Sequence, residues 1–330
     1  MRVPYRFAAS VIAAAIASIT VLAQTNQLRL VSTAWPPFTN QSPQPRFALD
    51  LVEAALGRIG LKSGTTIVDA AQFTPLLIKG PYDGSAAAWK DPQREKALLF
   101  SQPYLENRLI LVGRTGADVS AKTLAELKGR RVAIVEGYAY GDAVDNAGPA
   151  FVRTSGEEDS IRQLLRGDVD YTLMDEIVVQ YIADHHSDEA RAKLQFGSTS
   201  LVTRPLYLAV RRTHPDAQSI VDRFNTQIRA MIADRTYHRL LHVAWILADV
   251  DGDGVAEYIS QSDSSGPAEP QHAYTLFAAP ELAPQAPQKR YMFGGAVYDS
   301  WTAVPEKYKN YDPQRPEPGI ATVPIYKFSW

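Results

Sequence analysis

One arginine in this sequence stands where helix electrostatics alone would not place it. Asp91 and Pro92 predict the start of a short helix, with Asp91 as the N-cap and Pro92 as the first helical residue, and Arg94 falls in the first turn. A cation at this end is opposed by the helix dipole. A guanidinium beside free helix N–H groups, however, forms a clamp for a carboxylate or a phosphate. The alternative is an ordinary arginine in a solvated surface turn.

A second charged residue, Asp175, follows the predicted strand Val169 to Met174. A carboxylate there either caps the next helix or lies in a cleft at the end of the sheet. Earlier in the chain, residues 136–142 form a glycine-bearing turn after the predicted strand Arg131 to Val135. Such a turn exposes backbone N–H groups to an anion. It lacks the GxGxxG and Walker spacings, so a nucleotide is not indicated.

Two aromatic residues, Trp35 and Phe38, flank a pair of prolines directly after the predicted strand Leu28 to Thr33. Ligands of α/β proteins lie beyond the carboxyl ends of the strands, so these rings are placed to line a cleft. Ordinary packing in the core is the alternative for either ring.

An acidic loop near residue 250 has the pattern of a calcium site. Its aspartates alternate, Gly254 allows a sharp turn, and the five expected oxygen donors are Asp249, Asp251, Asp253, the Val255 carbonyl and Glu257. A full EF-hand needs glutamate at the twelfth position, where Ser260 stands, so the loop resembles the short calcium loops of extracellular repeat proteins. We predict a structural Ca²⁺ here, with a plain acidic turn as the alternative, and no organic cofactor. His238 and His242 have i, i+4 spacing but no flanking acid, which favours a structural role.

The composition indicates an exported protein with a sizeable core. The chain has 330 residues, 45% of them hydrophobic, and no cysteine. Arg2 and Arg6 precede an apolar run that ends in small residues, which predicts a cleaved signal peptide over residues 1–23 and a periplasmic location. An uncleaved membrane anchor is the alternative. A net charge of −2 without a long basic run argues against nucleic acid or anionic membrane as the main partner.

Strands and helices alternate over most of the chain, which predicts a mostly parallel α/β sheet. Two extended apolar segments, 108–112 and 203–210, are predicted to cross between lobes, and residues 214–232 and 237–244 form a long amphipathic helical region. Residues 261–330 are rich in proline and aromatic side chains, and residues 291–301 are predicted to form a small β element.

The ordered set of motifs resembles the bacterial extracellular solute-binding proteins of family 3, the type that binds polar amino acids. The matching features are Trp35-Pro36-Pro37-Phe38, Asp50-Leu51, the stretch from Tyr82 to Tyr104 that contains Arg94, Leu124 to Ala133, Asp168 to Asp170, Asp175, Leu206 to Val210 and Phe224-Asn225. The resemblance implies a type II periplasmic binding protein fold, in which two α/β lobes joined by two crossing strands close on a ligand. Lobe 1 would comprise residues 24–112 and 206–245, lobe 2 residues 113–205, and a small C-terminal extension residues 246–330.

The resemblance also implies roles for individual residues. Arg94 would bind the ligand α-carboxylate, assisted by backbone N–H groups near Tyr138, and Asp175 would bind the ligand ammonium. The full set of expected ligand contacts is Trp35, Phe38, Trp89, Asp91, Arg94, Tyr138, Ala139, Tyr140 and Asp175. The implied function is capture of a small polar or zwitterionic solute, without catalysis, by a monomer that delivers it to an inner-membrane transporter or sensor.

Three residues depart from the family pattern: Asp91 stands where the family has threonine, and Trp89 and Lys90 replace small and apolar residues. A carboxylate at position 91 repels a ligand carboxylate unless Arg94 neutralises it or a cation intervenes. Two alternatives therefore stay open. One is a partner-docking protein with a vestigial cleft. The other is a dehydratase-like enzyme on the same fold, with Glu136, Asp91 or Lys90 as acid or base.

Overall fold

Two β-sheets and the helices that cover them make up the described part of the protein. The computed structural model describes residues 27–43, 45–141, 144, 146–185, 192–241, 245–249, 253–260, 268–270, 273–275 and 289–309. The strands are β1 (Gln27–Thr33), β2 (Lys62–Val68), β3 (Gly84–Trp89), β4 (Leu98–Phe100), β5 (Leu105–Arg114), β6 (Arg131–Val135), β7 (Ala150–Thr154), β8 (Tyr171–Asp175), β9 (Leu194–Arg211), β10 (Trp245–Ala248), β11 (Glu257–Ser260), β12 (Tyr274–Thr275), β13 (Arg290–Phe293) and β14 (Ala296–Tyr298). The helices are α1 (Phe47–Arg58), α2 (Ala70–Lys79), α3 (Pro92–Ala97), α4 (Glu157–Arg166), α5 (Glu176–His185), α6 (Ala217–Ala233), α7 (Thr236–Leu241) and α8 (Glu306–Lys309), with 3₁₀ turns at Leu124–Leu127 and Trp301–Ala303.

The larger sheet has the strand order β2-β1-β3-β9-β5-β8-β6-β7, with β4 paired to β9. Its two ends are parallel: β1 pairs in parallel with β2 and β3, and β6 pairs in parallel with β7 and β8. The central strands β5 and β9 are antiparallel to each other, from Leu105 opposite Leu206 to Arg114 opposite Leu194. These two strands contain the predicted crossing segments and connect the two parallel ends, which we call lobe 1 (the β1 end) and lobe 2 (the β6 end).

Some elements differ from the sequence-based expectation. Strand β9 begins at Leu194, well before the predicted start at residue 203, because the run of small and polar residues 197–200 interrupts its apolar pattern. The long C-terminal helical region is broken after α6, where Arg235 adopts a positive φ of 64°. His238 on α7 is buried, and its Nε2 lies 3.0 Å from the Ile259 carbonyl oxygen. Burial lowers the His238 pKa to about 4, which fits a structural histidine, while His242 lies outside the described residues.

The smaller sheet belongs to the C-terminal extension and has the order β12-β10-β11-β13-β14. The β13–β14 hairpin turns at Gly294 and Gly295, which both have positive φ, and it overlaps most of the predicted β element 291–301. Ile246 and Ile259 of this sheet belong to the same buried cluster as the core of lobe 1. The extension therefore packs against the main body instead of standing apart from it.

Among the described residues, the structure contains no helix with the length and apolar character needed to cross a membrane. The predicted signal peptide, residues 1–23, and the last residues of the chain, 310–330, lie outside the described ranges.

The close approach of β3 to β9 gives a test of this sheet. A Cβ on Gly84 would lie 2.0 Å from the Ala209 carbonyl oxygen, which is main chain and cannot move aside. We expect Gly84→Ala to destabilise the protein by about 3 kcal/mol or more, measured by thermal or urea unfolding. The matched control is Gly57→Ala in α1, where a Cβ meets no atom within 4 Å and helix propensity favours alanine by up to about 1 kcal/mol. Equal stability of the two variants would contradict the β3–β9 pairing.

Candidate functional site

A small cavity lies where lobe 1 meets lobe 2. Its lining residues are Ser32, Thr33, Trp35, Phe73, Ala87, Trp89, Arg94, Tyr138, Ala139 and Leu206. The volume is about 30 Å³, enough for about one or two water molecules and too small for an amino acid. The cleft is therefore closed in this conformation. Of the nine expected ligand contacts, five line it: Trp35, Trp89, Arg94, Tyr138 and Ala139.

The position of Arg94 is fixed by the short helix α3. Asp91 caps this helix as predicted, because its Oδ1 accepts a hydrogen bond from the Arg94 backbone N–H at 2.7 Å. The Arg94 side chain is only 3% exposed. Its Nη1 donates to the Trp89 carbonyl oxygen at 2.9 Å and its Nη2 donates to Thr74 Oγ1 at 2.8 Å. The guanidinium carbon lies 5.3 Å from the centre of the Phe73 ring, a cation–π distance.

Asp91 balances the charge of Arg94, whereas burial and the nearby Arg204 act against it. Burial lowers the pKa of its guanidinium, and the negative charge of Asp91 opposes that shift. Asp91 Oδ2 lies 3.3 Å from Arg94 Nε, so the carboxylate at position 91 turns onto the arginine and does not line the cavity. The sequence analysis required Arg94 or a bound cation to neutralise Asp91 before a ligand carboxylate could bind. In the structure, Arg94 is placed to do so.

Lobe 2 reaches Arg94 through the glycine-bearing turn. The Gly137 carbonyl oxygen accepts a long hydrogen bond of 3.5 Å from Arg94 Nη2. Gly137 has a φ of 77°, and a Cβ there would lie 2.9 Å from the Ala70 carbonyl oxygen at the start of α2. Tyr138 Oη lies 3.4 Å from Thr33 Oγ1 of β1. The turn after β6 thus lies directly against lobe 1.

Five aromatic side chains fill the cleft between the lobes. From lobe 1, the ring of Trp35 lies 4.6 Å from Phe38 and 5.6 Å from Trp89. From lobe 2, Tyr138 and Tyr140 lie 5.5 and 5.3 Å from Trp89. These distances suit edge-on and tilted aromatic packing, which contributes about 0.5–1.5 kcal/mol per pair beyond the buried area. Phe38 and Tyr140 support the other rings from behind and do not line the cavity.

Asp175 is buried at the end of β8 and does not line the cavity. Its Oδ1 accepts from the Ile177 N–H at 2.8 Å and so caps α5, as one of the two sequence interpretations predicted. Its Oδ2 accepts from Asn107 Nδ2 at 3.0 Å and from the Arg108 N–H at 3.1 Å. Burial raises the Asp175 pKa to about 7, although these three hydrogen bonds stabilise the ionised form and act to lower it. Its contact with a ligand ammonium stays a prediction.

A further acid, Glu157, was missed by the sequence analysis. It is the first residue of α4, and its Oε2 atom is buried without a hydrogen-bond partner among the described residues. Burial and the neighbouring charge of Asp175 raise its pKa to about 8, while the Trp35 indole N–H opposes the shift. The run of acids Glu157-Glu158-Asp159, favourable in a first helical turn, was the available sequence signal for the start of this helix.

A second, wider depression lies on the surface of lobe 1, with a volume of about 280 Å³. Its charged lining includes Arg29, Asp83, Arg211 and His214. Arg29 and Asp83 form an ion pair of 3.1 Å at this place, and Arg29 is 63% exposed. None of the nine expected ligand contacts lines this depression.

In the acidic loop, two carboxylates hold backbone N–H groups. Asp249 Oδ2 accepts from the Gly254 N–H at 3.0 Å, and Asp253 Oδ1 accepts from the Val255 N–H at 2.8 Å. Gly254 has the positive φ that the predicted turn requires. Asp251, a further expected ligand, lies outside the described residues.

The guanidinium of Arg290 lies against this loop. Its Nη1 is 2.6 Å from Asp253 Oδ2 and 3.2 Å from Oε1 of the buried Glu257. The described His, Asp and Glu side chains contain no group of three that could hold a metal ion. Arg290 therefore pairs with two of the loop's described carboxylates, and the calcium site stays a prediction.

Comparisons with known proteins agree with this geometry. Residues 29–247 match the family model of the bacterial extracellular solute-binding proteins, family 3. ABC transporter arginine-binding protein 1 of Escherichia coli (strain K12) is 26% identical over 223 residues, which cover 64% of this chain and 86% of that protein.

Solved structures show the same fold. An ancestral arginine-binding protein bound to arginine is 24% identical with a TM-score of 0.55, covering 66% of this chain and 97% of that one. The BvgS VFT2 domain of Bordetella pertussis is 21% identical with a TM-score of 0.56, covering 66% and 92%. The two-lobe type II periplasmic binding protein fold is thereby confirmed. This chain belongs to the bacterial extracellular solute-binding proteins of family 3.

Proposed function

We propose that this protein captures a small zwitterionic, amino-acid-like solute between its two lobes and delivers it to a transporter or sensor of the inner membrane. The single observation that carries the proposal is the buried Arg94, which lines the cavity at the meeting point of the lobes. The relative in Escherichia coli is an arginine-binding protein of an ABC transporter, which supports both the ligand class and the delivery.

The anion of the solute binds at Arg94. An arginine has five N–H donors in a planar fork, and here Nη1 and Nη2 already hold the Trp89 carbonyl and Thr74, which fixes the plane of the guanidinium. The remaining contact, to the Gly137 carbonyl, is 3.5 Å long and weak. A ligand carboxylate that replaces this contact gains a charge-assisted hydrogen bond in a site shielded from water.

The cation of the solute binds on the opposite lobe, where Asp175 lies at the end of β8. Its three hydrogen bonds leave acceptor capacity, since an ionised carboxylate has about four lone-pair positions. A ligand ammonium also offsets the burial that raises the Asp175 pKa. One zwitterion bound by both lobes therefore favours the closed conformation.

Binding of such a solute requires the aromatic side chains to move, because the cavity of about 30 Å³ in the present closed conformation cannot hold it. Opening the lobes separates Trp89 from Tyr138 and Tyr140, whose rings now meet across the cleft. The ligand then takes the place of part of this aromatic contact when the lobes close again. The expected setting is the periplasm, with the chain acting as a monomer.

The enzyme alternative finds little support in the described geometry. Lys90 Nζ forms an ion pair of 2.7 Å with Glu95, and Glu136 lies 3.6 Å from Arg153. Asp91 caps α3 and faces Arg94. None of the three candidate acids and bases lines the cavity, and the matching relatives are solute-binding proteins.

Calorimetry against an amino-acid library tests the proposal. We expect Arg94→Ala to weaken binding about 100-fold or more, because one buried charge-assisted contact is worth roughly 1.5–3 kcal/mol and the Asp91 carboxylate, left without its cation in this variant, repels the ligand carboxylate. Arg94→Lys keeps the positive charge but loses the planar pair of N–H donors, so it also weakens binding. It replaces the alanine variant in the test if that variant is poorly folded. Arg131→Ala, on the exposed surface of lobe 2, is the control and retains affinity. Unchanged binding in both Arg94 variants, or no binder at millimolar concentration, would refute the function.

We also propose that the acidic loop of the extension binds Ca²⁺ as a structural ion, in competition with Arg290. The alternating aspartates and the turn at Gly254 support this, and the ion pairs of Arg290 with Asp253 and Glu257 define the competitor. Arg290→Gln leaves these carboxylates without their cation, so we expect a loss of roughly 3 kcal/mol in EDTA. Added Ca²⁺ restores the melting temperature of this variant, whereas Mg²⁺ does not. Equal melting temperatures in EDTA and in millimolar Ca²⁺, for both the variant and the unmodified protein, would contradict a calcium site.

A further inference from the structure

The indole ring of Trp89 lies between the two walls of the closed cleft. The ring lines the cavity, and the residue is only 5% exposed. Its centre is 5.6 Å from the Trp35 ring of lobe 1, and 5.5 and 5.3 Å from the rings of Tyr138 and Tyr140 in lobe 2. A single side chain of lobe 1 therefore joins the two lobes by aromatic packing.

The indole N–H also connects lobe 1 to lobe 2, through two consecutive hydrogen bonds. Trp89 Nε1 donates to Asn107 Oδ1 at 2.8 Å, and Asn107 Nδ2 donates to Asp175 Oδ2 at 3.0 Å. Asn107 is fully buried on the crossing strand β5, and Asp175 is the last residue of β8 in lobe 2. Both hydrogen bonds are buried, so breaking either one is costly unless another donor takes over.

The main chain at Trp89 is held separately from its side chain. Trp89 pairs with Leu206 of β9, and its carbonyl oxygen accepts from Arg94 Nη1 at 2.9 Å. The guanidinium carbon of Arg204, also on β9, lies 5.8 Å from the centre of the Trp89 ring. The indole can therefore leave the cleft by side-chain rotation while the sheet stays intact. The cavity of about 30 Å³ is too small for an amino acid, so binding requires this movement.

We infer that the Trp89 side chain is a built-in occupant of the cleft, which keeps the lobes closed without solute and which a solute must displace from Asn107 in order to bind. The closed state concerns the protein without solute and goes beyond the proposed function, whereas the displacement rests on that function. The sequence departs from the family pattern at Trp89, where a small side chain is expected. A small side chain cannot reach across to Asn107, so the occupant is a property of this chain.

Displacement of the indole has two consequences for a solute. Asn107 Oδ1 loses its donor when the indole leaves, and a buried acceptor without a donor costs free energy. A solute ammonium group restores this hydrogen bond and lies next to Asp175, the partner of Asn107. In addition, protein whose cleft is occupied by the indole cannot bind solute, so the apparent affinity falls in proportion to the fraction that is free.

The test removes the indole N–H and keeps an aromatic ring. Small-angle X-ray scattering of the dialysed full chain without solute gives the radius of gyration, and calorimetry with L-arginine gives the affinity. We expect Trp89→Phe to increase the radius of gyration, because the lobes open. We also expect it to bind L-arginine at least about threefold more tightly, because the competing contact is weaker. Saturating L-arginine returns the radius of the variant to that of the unmodified protein.

The matched control is Trp301→Phe, the same change in a 3₁₀ turn of the C-terminal extension, which alters neither quantity. Asn107→Ala breaks the same hydrogen bond from the other side and is expected to open the lobes as well. It replaces Trp89→Phe in the scattering experiment if that variant is poorly folded.

The outcomes separate this inference from the proposed function. A larger radius in Trp89→Phe together with tighter binding of L-arginine supports both. An equal radius in the variant and the unmodified protein, or an unmodified protein that is already open without solute, overturns the inference whether or not L-arginine binds. A larger radius with measurable but unchanged affinity shows that the indole does not compete with the solute and overturns the displacement. If the variant opens but no amino acid binds to either protein, the proposed function fails and the closed state without solute stands.

Discussion

The contact between Arg94 and Asp91 is the interaction on which the rest of the cleft depends. A buried guanidinium is costly unless its charge and its donors are met. Asp91 meets the charge and also caps the helix that carries the arginine, so one side chain fixes both the backbone and the electrostatics. The Trp89 carbonyl and Thr74 then hold two edges of the guanidinium fork. The remaining N–H donor capacity of the guanidinium faces lobe 2, where it makes only a long hydrogen bond to the Gly137 carbonyl oxygen.

The opposite wall of the cleft carries the opposite charge, and it is built differently. Asp175 is held by hydrogen bonds from strand β5 and helix α5, whereas Glu157 lies at a helix start and its buried Oε2 atom accepts no hydrogen bond from a described residue. Burial raises the pKa of both acids, and the charge of Asp175 adds to the shift of Glu157, so a nearby cation favours their ionised forms. Aromatic rings fill the space between the walls and exclude water, which strengthens any charge interaction made there. Arginine on one lobe and two acids on the other therefore favour a solute with separated charges.

Much of this arrangement followed from local sequence signals. The Asp91-Pro92 cap, the crossing strands and the cap at Asp175 each depend on neighbouring residues, so short patterns were enough to predict them. Other features depend on contacts between distant parts of the chain. The contact of Trp89 with Tyr138 and the pairing of Arg290 with Asp253 leave no local trace in the sequence. Glu157 was missed for a related reason, since its importance arises from burial beside Asp175, eighteen positions along the chain, and not from its neighbours.

The most direct test of the account is the crystal structure of the protein grown with L-arginine. The account predicts one solute molecule between the lobes, with its carboxylate about 3 Å from the Arg94 guanidinium and its ammonium group beside Asp175. The rings of Trp89 and Tyr138, now 5.5 Å apart, would be separated or rotated to admit it. A solute bound instead in the surface depression near Arg29, or one that enters the cleft with its carboxylate away from Arg94, would contradict the account.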